Sequence, residues 1–394
     1  QRRSDGINIE GVNYIEIDGF RVIGVGTKGN GEGIRLVIAN NCIVRNCFCN
    51  DNGDRGNFTV FTDDILIENN ICINSKDEHG IYVSNSSDRP IVRYNECYGN
   101  NKIGIHVNGD KELGGDGIIS GAQIYGNIIH DNKQAAGINL DAVQNAVVYN
   151  NLIYNNHNAQ GIALFQSHAT HPTNNIKIYN NTIIVPNDGR WGIHIKDGSN
   201  IDTEIYNNII INQHACRGSI TVENTTDLKS DYNIVNDKMS ISGDGSSIKF
   251  MNWQQSGLDQ NSLLADNLDE LFVDPLTNNF RLSNNSQAIN TGSDVVSPVV
   301  KTDLDTMARP HGDRYDIDAY EALLVSAKKT FQTPLLKIYP NPTSDFVFLR
   351  LEDSPNPIEQ IVLFDLKGST IRSFIPTANM MDMRNLTDNT YLLF

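Results

Sequence analysis

One residue type recurs at a spacing that few folds can use. Asparagine closes the segments "VRNCFCND", "IENNICINS", "VRYNECYGN", "IYGNIIHDN", "VYNNLIYNN", "IYNNTIIVP", "IYNNIIINQ" and "SDYNIVND". The aligned positions are Asn46, Asn70, Asn95, Asn127, Asn151, Asn181, Asn208 and Asn233, with steps of 24, 25, 32, 24, 30, 27 and 25 residues. Gly19, in "IDGFRVIG", takes the same place one unit earlier. Ahead of each asparagine lies a short alternating strand, usually opened by glycine: "GINIEG", "GIRLVI", "GIYVSN", "GIHVNG", "GINLDA", "GIALFQ", "GIHIKD" and "SITVEN". Repeating units of this length, made of short strands without a helical stretch, predict a solenoid whose turns stack. One turn cannot bury its apolar side alone, but stacked turns enclose a column of Ile, Leu and Val. Asparagine suits both the left-handed backbone of a tight bend and a ladder of stacked amides.

This pattern resembles the right-handed parallel β-helix superfamily of pectate lyases, chondroitinase-B-like lyases, polygalacturonases and phage tailspikes. The resemblance covers roughly residues 5–235 and implies an all-β, right-handed parallel β-helix solenoid, taken here as residues 1–235. Leucine-rich repeats, the competing solenoid, are disfavoured because their leucine spacing and helical segments are missing. Residues 236–325 lose the asparagine period and end in "TDLDTMARPHGDRYDIDAYE", which is similar to closing segments of bacterial extracellular β-helix proteins. An exposed last coil is a sheet edge that needs cover, so Asp303, Asp305, Arg309 and Asp316 are expected to pin loops.

After a linker at 326–334, residues 335–394 carry "YPNPTSD", "LFDLKG" and a terminal "YLLF". These motifs resemble the type-A C-terminal sorting domain of the type IX secretion system in Bacteroidetes, with Asn389–Thr390 where that family has glycine before the final tyrosine. Alternating strands with Pro- and Gly-marked turns predict a small C-terminal β-sandwich. The resemblance implies handling by the type IX machinery and a secreted or outer-membrane surface-attached protein.

Composition narrows the function further. A formal charge of −16 without a basic stripe argues against nucleic acid as a partner. No stretch approaches the roughly 20 apolar residues of a membrane span. The first residues already read as strand, without a leader. That suits a mature secreted chain, a cytosolic one or a fragment lacking an N-terminal cap. A monomer is expected. The six cysteines lack metal-type spacing, and Cys72 and Cys97 are expected as stacked core thiols.

In each "GIxφ" strand the x position faces out. Stacking predicts one outward file of Asn8, Arg35, Thr59, Tyr82, His106, Asn139, Ala163, His194 and Thr221. A second file runs Glu10, Val37, Phe61, Ser84, Asn108, Asp141, Phe165, Lys196 and Glu223. Tyr, His, Asn, Asp, Lys and Arg on one wall are what β-elimination of a uronate requires. The sugar carboxylate is neutralised, a base removes the C5 proton and an acid assists O4. Two assignments stay open. In one, His106 with Tyr82 moves the protons and Asn139 neutralises the carboxylate, with Asp141 beside them. In the other, Lys196 is the base, with Arg190 and His194 close by. Arg35 and Trp191 are further substrate contacts, the tryptophan by stacking on a sugar ring. Polar facing for solubility is the bland alternative throughout.

No cofactor is required by these motifs. Calcium at Asp110, Glu112 and Asp116 competes with a solvated acidic loop. His168 and His171 lack a third metal ligand. The expected function is therefore a lyase on an anionic, uronate-containing polysaccharide. A non-catalytic carbohydrate-binding or adhesive surface protein comes next, and a glycoside hydrolase third.

Overall fold

In the computed structural model, the described residues are 4–322, apart from 113, 167–169 and 243–245, together with strands and short stretches among the last sixty. Residues 1–323 form one unit and 324–394 another. The first is a parallel β-helix with three sheets running its length. Nine strands, from Ile7–Glu10 to Ile220–Val222, make the first sheet. Nine more, from Glu16–Asp18 to Lys229–Asp231, follow one another along the second. Ten, from Arg21–Ile23 to Leu263–Leu264, make the third. Every neighbouring pair along these three stacks is parallel, and Ile, Leu, Val and Cys point into one continuous buried core. Cys49, Cys72 and Cys97 stand in register within it.

The asparagines at the bend between the second and third sheets divide two jobs between adjacent residues. The left-handed backbone falls on Gly19, Asn46, Asn69, Tyr94, Gly126, Asn150, Asn180, Asn207 and Tyr232. The amide ladder is carried by the next residue. Asn70 Nδ2 donates to Asn95 Oδ1 at 3.0 Å, and the chain of amides continues through Asn127, Asn151, Asn181 and Asn208 to Asn233. Asn46 and Gly19 therefore belong to the bend series, not to the ladder, and Cys47 holds the ladder position of its turn, its N–H donating to Asn70 Oδ1. A second such bend leaves the third sheet, with Asn100, Asn132 and Asn156 as its ladder. In "VVYNNLIYNNHNAQGIALFQ", Asn150, Asn155 and Asn158 supply left-handed backbone while Asn151 and Asn156 supply ladder amides. Asp259 ends the first ladder by accepting from Asn233 Nδ2 at 2.9 Å and from Trp253 Nε1 at 2.7 Å.

Glycine before most first-sheet strands answers to crowding. A Cβ on Gly161 would lie 2.6 Å from the carbonyl oxygen of Gly192 on the next turn.

Residues beyond the last coil do more than cover its edge. Phe250, Trp253 and Leu258 enter the core. The segment from Leu268 then turns back over the outer face of the third sheet, where Leu152, Tyr154, Ile184, Ile209 and Ile211 meet Leu271, Phe272 and Phe280. Asn180 Nδ2 donates to the carbonyls of Asp316 and Asp318. Arg309 and Glu321 form a buried ion pair at 3.0 Å, and Arg281 holds Asp305 at 2.7 Å. In the second unit, Leu336–Tyr339, Phe346–Leu351 and Met380–Asp382 make one antiparallel sheet, and Ile361–Phe364, Thr370–Phe374 and Leu392–Leu393 another. Most of "YPNPTSD" and the first and last residues of the terminal "YLLF" lie outside the described residues.

On the uncovered part of the third sheet, His130 lies flat between Tyr98 and Tyr154, with centroids 4.7 and 4.8 Å away. Its Nδ1 is 2.6 Å from Asp131 and its Nε2 3.2 Å from Glu96. Burial opposes the imidazolium, but hydrogen bonds to both carboxylates outweigh it and raise His130 above 6.5. Because the folded value is the higher one, this stabilisation is complete below pH 6.5 and is lost as pH rises through the folded value. Thermal unfolding should therefore show a step down in midpoint across that window, absent from His130→Gln. A step of equal size in the variant would assign it elsewhere.

Candidate functional site

The outward face of the first sheet carries the predicted files, with one slip. Register places Asn8, Arg35, Phe58, Tyr82, His106, Asn139, Ala163, His194 and Thr221 in line. Phe58, not Thr59, occupies its turn, and Val60, not Phe61, stands in the second file. The turn "GNFTVFT" lacks the Gly-Ile opening, so the strand begins one residue earlier than the pattern suggests. Thr59 points into the core and is fully buried.

Tyr82 and His106 stack at 4.7 Å with planes 16° apart. The residue missed from sequence is His79, at the bend before Gly80. Its Nε2 lies 3.2 Å from His106 Nδ1, and its Nδ1 accepts the Ile103 N–H at 3.3 Å. Burial, together with His106, Arg55 and Lys102, holds His79 well below 6.5, so it is neutral. With Nδ1 accepting, its proton sits on Nε2 and points at His106 Nδ1. His106 then carries its own proton on Nε2, which lies 3.7 Å from Asp141 Oδ2 and has no hydrogen-bond partner. In this tautomer the outward nitrogen of His106 is a donor. Only its address, "EHGIYV", could have flagged His79, since the residue before each strand-opening glycine lies beside the outward face.

Tyr82 is pushed upward, chiefly by burial, and its oxygen accepts from Asn108 Nδ2 at 3.0 Å. Its phenol proton is thus retained. Arg55 lies over the rings of Phe58 and Tyr82 at 4.7 and 4.9 Å, and is neutralised by Glu32, Asp54 and Glu78. Asn139 donates to Asp141 at 3.1 Å. The insertion after Asn108 is tied to the same wall, with Asn85 Nδ2 donating to the Asp110 carbonyl and Ser86 Oγ accepting from Gly117 N.

Three turns on, about 14 Å at ~4.8 Å per turn, lies a second polar group. Lys196 Nζ is 2.9 Å from Glu223 Oε1, and His194 Nε2 is 3.5 Å from the same oxygen. Gln160 Nε2 faces His194 Nδ1 at 3.4 Å. Burial and the charge of Lys196 lower His194 to about 4, against the pull of Glu223. Lys196 remains 44% exposed and borders a concavity of about 390 Å³ with Gln166, Asp197 and Glu223. Arg190 is exposed nearby.

Two expected substrate contacts are corrected. Trp191 is only 4% exposed, so it offers no ring face to a sugar. Arg35 is equally buried and is held by Asn8 and Glu10. In the acidic insertion, Asp110 and Asp116 accept backbone N–H groups of Glu112 and Ile118. His168 lies outside the described residues. Among the described residues, no three His, Cys, Asp or Glu side chains converge as a metal-ligand set.

Residues 1–114 match the family model for periplasmic copper-binding protein (NosD), residues 112–239 that for the right handed beta helix region, and residues 337–394 that for the secretion system C-terminal sorting domain. No curated protein sequence matches. Similar solved structures include the periplasmic alginate epimerase AlgG, at 16% identity and a TM-score of 0.40, covering 64% of this chain and 50% of that one. The Azotobacter vinelandii mannuronan C-5 epimerase AlgE6 A-module is 16% identical, with a TM-score of 0.44 and 65% of each chain covered. Pectate lyase Pel9A is 14% identical, with a TM-score of 0.49 and coverage of 74% and 73%. The chain spans about half the length of AlgG. No helix among the described residues is long and apolar enough to cross a membrane. The chain is a right-handed parallel β-helix protein with a type IX C-terminal sorting domain, secreted or attached at the cell surface.

Proposed function

We propose that this protein is a polysaccharide lyase that cleaves a uronate-containing glycan by β-elimination on the outward face of its first sheet. The observation that carries the reading is one wall on which the Tyr82 phenol, the His106 Nε2–H and the Asp141 carboxylate stand side by side. In the reaction, the C5–H bond breaks and its electrons form the C4–C5 double bond. The C4–O4 bond then breaks, and O4 takes a proton. Asp141 is the acceptor for the C5 proton. Tyr82, kept protonated by burial, is the donor to O4. His106 and Asn139 face the sugar carboxylate as hydrogen-bond donors, where charge develops. His79 is a positioning residue, because it fixes the His106 tautomer. Lys196 and Arg190 bind a carboxylate further along the chain.

One observation favours a second reading, carbohydrate binding without turnover. The His106 and Asp141 side chains are only 12% and 5% exposed, whereas the Lys196 concavity is open. A hydrolase is less well supported. It needs a carboxyl group raised to serve as acid, yet Glu223 lies below its ordinary value because the bond to Lys196 and the Asp197 N–H outweigh burial. Asp141 lies about three turns from Glu223, roughly 14 Å, beyond either hydrolase spacing.

The test is incubation with a panel of uronate polysaccharides while ultraviolet absorbance and reducing ends are followed. The lyase should give an unsaturated product. Reducing ends without unsaturation would identify a hydrolase, and binding without either product would select the second reading.

A further inference from the structure

At the edge of the first sheet, beyond His194, the acidic protein gathers cations. Arg190 and Arg217 each lie three residues before Ile193 and Ile220, which pair in register, so the two arginines occupy equivalent places on consecutive turns. Arg217 NH1 donates to the Gly189 carbonyl at 3.3 Å. Lys238 is brought to the next turn by its carbonyl, which accepts the Ser219 N–H at 3.0 Å, and its ammonium donates to the His214 carbonyl. His214 Nδ1 accepts the N–H groups of Cys216 and Arg217 at 3.1 and 3.0 Å, so a neutral His214 carries its proton on Nε2. Burial, then Arg217 and Lys238, lowers His214, whereas Arg190 acts on His194.

The neighbouring carboxylates are already engaged. Asp188 holds His157 at 2.9 Å, Asp237 holds Lys249 at 2.7 Å and the Phe250 N–H at 2.9 Å, and Glu223 holds Lys196. Among the described residues, no carboxylate lies within ion-pair distance of Arg190, Arg217 or Lys238. In a chain of net charge −16, three cations without anionic partners amount to a local reversal of the field. A loop knotted by its own hydrogen bonds keeps them in place.

We propose that Arg190, Arg217, Lys238 and the His214 Nε2–H form an oxyanion subsite that takes a carboxylate or sulfate group of an acidic glycan running along the first sheet. The subsite deepens the proposed function by extending the binding face about two turns past Lys196. Guanidinium groups hydrogen-bond pairs of oxyanion oxygens, and Arg190 is exposed while His214, Arg217 and Lys238 are half-buried, within reach of a sugar substituent. The His194–Lys196 group next to it supplies the continuation of the track.

The experiment measures binding of galacturonate, mannuronate and sulfated oligosaccharides to the full chain by calorimetry, independently of turnover. Arg217→Gln and Lys238→Gln should each weaken binding by roughly tenfold, the loss of one charge-assisted hydrogen bond. Arg217→Lys should retain most of the affinity, and Lys301→Gln, elsewhere on the unit, should leave it unchanged. Weakening confined to the sulfated ligands would assign the oxyanion as sulfate; weakening with the uronates would assign it as carboxylate. Unaltered affinity in both Gln variants, or no binding of any of these ligands by the wild type, would overturn the subsite. Loss of affinity in the variants of a protein that yields no unsaturated product would uphold the subsite while ending the elimination chemistry.

Discussion

Asn70→Ala should cost about 3 kcal/mol of stability, whereas Asn69→Gly, one residue away, should cost almost nothing. Asn70 is buried, donates to Val44 O at 2.9 Å and Asn95 Oδ1 at 3.0 Å, and accepts the Cys47 N–H at 3.0 Å. Alanine would leave the Cys47 N–H without its acceptor and take the side-chain donor from the Val44 carbonyl, while Asn95 Oδ1 would keep only the Asn70 backbone N–H. An unsatisfied buried group costs roughly 1–3 kcal/mol, and partial relaxation keeps the sum below the simple total. Asn69 is exposed, with φ 54°. Glycine reaches that backbone without strain, so Asn69→Gly should lie within about 0.5 kcal/mol of wild type. Asn69→Val, β-branched at positive φ, should lose about 1–2 kcal/mol. Chemical denaturation of the four proteins measures this directly. Equal losses at 69 and 70 would contradict the division of labour between bend and ladder.

The second large effect is catalytic. On a uronate polymer that yields unsaturated product, His106→Ala should lower kcat by about 10²–10³-fold, the usual cost of removing one donor aimed at developing charge. Tyr82→Phe, which keeps the ring stacked on His106 but removes its proton, should fall in the same range. Lys196→Ala should act differently. Lys196 borders the open concavity and touches neither His106 nor Tyr82, so its loss should raise KM and change kcat by no more than about threefold. His79→Gln should preserve the fold and displace the pH profile of kcat, because the hydrogen bond that sets the His106 tautomer changes. A collapse of kcat in Lys196→Ala with normal turnover in His106→Ala would move the reaction centre to the second polar group.

The parallel solenoid was readable because each turn repeats the same physical problem. A glycine that cannot take a Cβ, an alternating strand and an asparagine bend leave the same letters every 24 or so residues. The register of Tyr82, His106, Asn139 and His194 followed from that period alone. It failed at Phe58, where the turn lacks its Gly-Ile marker. The asparagine alignment also merged two neighbouring positions. Asn fits both a left-handed bend and an amide ladder, so Asn46 looked equivalent to Asn70 until hydrogen bonds separated them.

What the period could not supply was burial from outside the turn. Trp191 and Arg35 hold places that spacing made accessible, but neighbouring turns and side chains close over them. The return of residues 268–322 along the third sheet was equally hidden. It depends on matching Leu271, Phe272 and Phe280 to an apolar outer face whose residues, from Leu152 to Ile211, come from several much earlier turns. His79 was missed for a related reason, because bend residues vary from turn to turn. Only coordinates reveal that its ring reaches His106.

The most direct measurement is a crystal structure of the full chain soaked with an acidic oligosaccharide that it binds. Sugar density running along the first sheet, past Tyr82 and His106 toward Lys196, is the predicted result. Density confined to the second or third sheet, with the Tyr82–Lys196 wall empty, would contradict a glycan-processing face there.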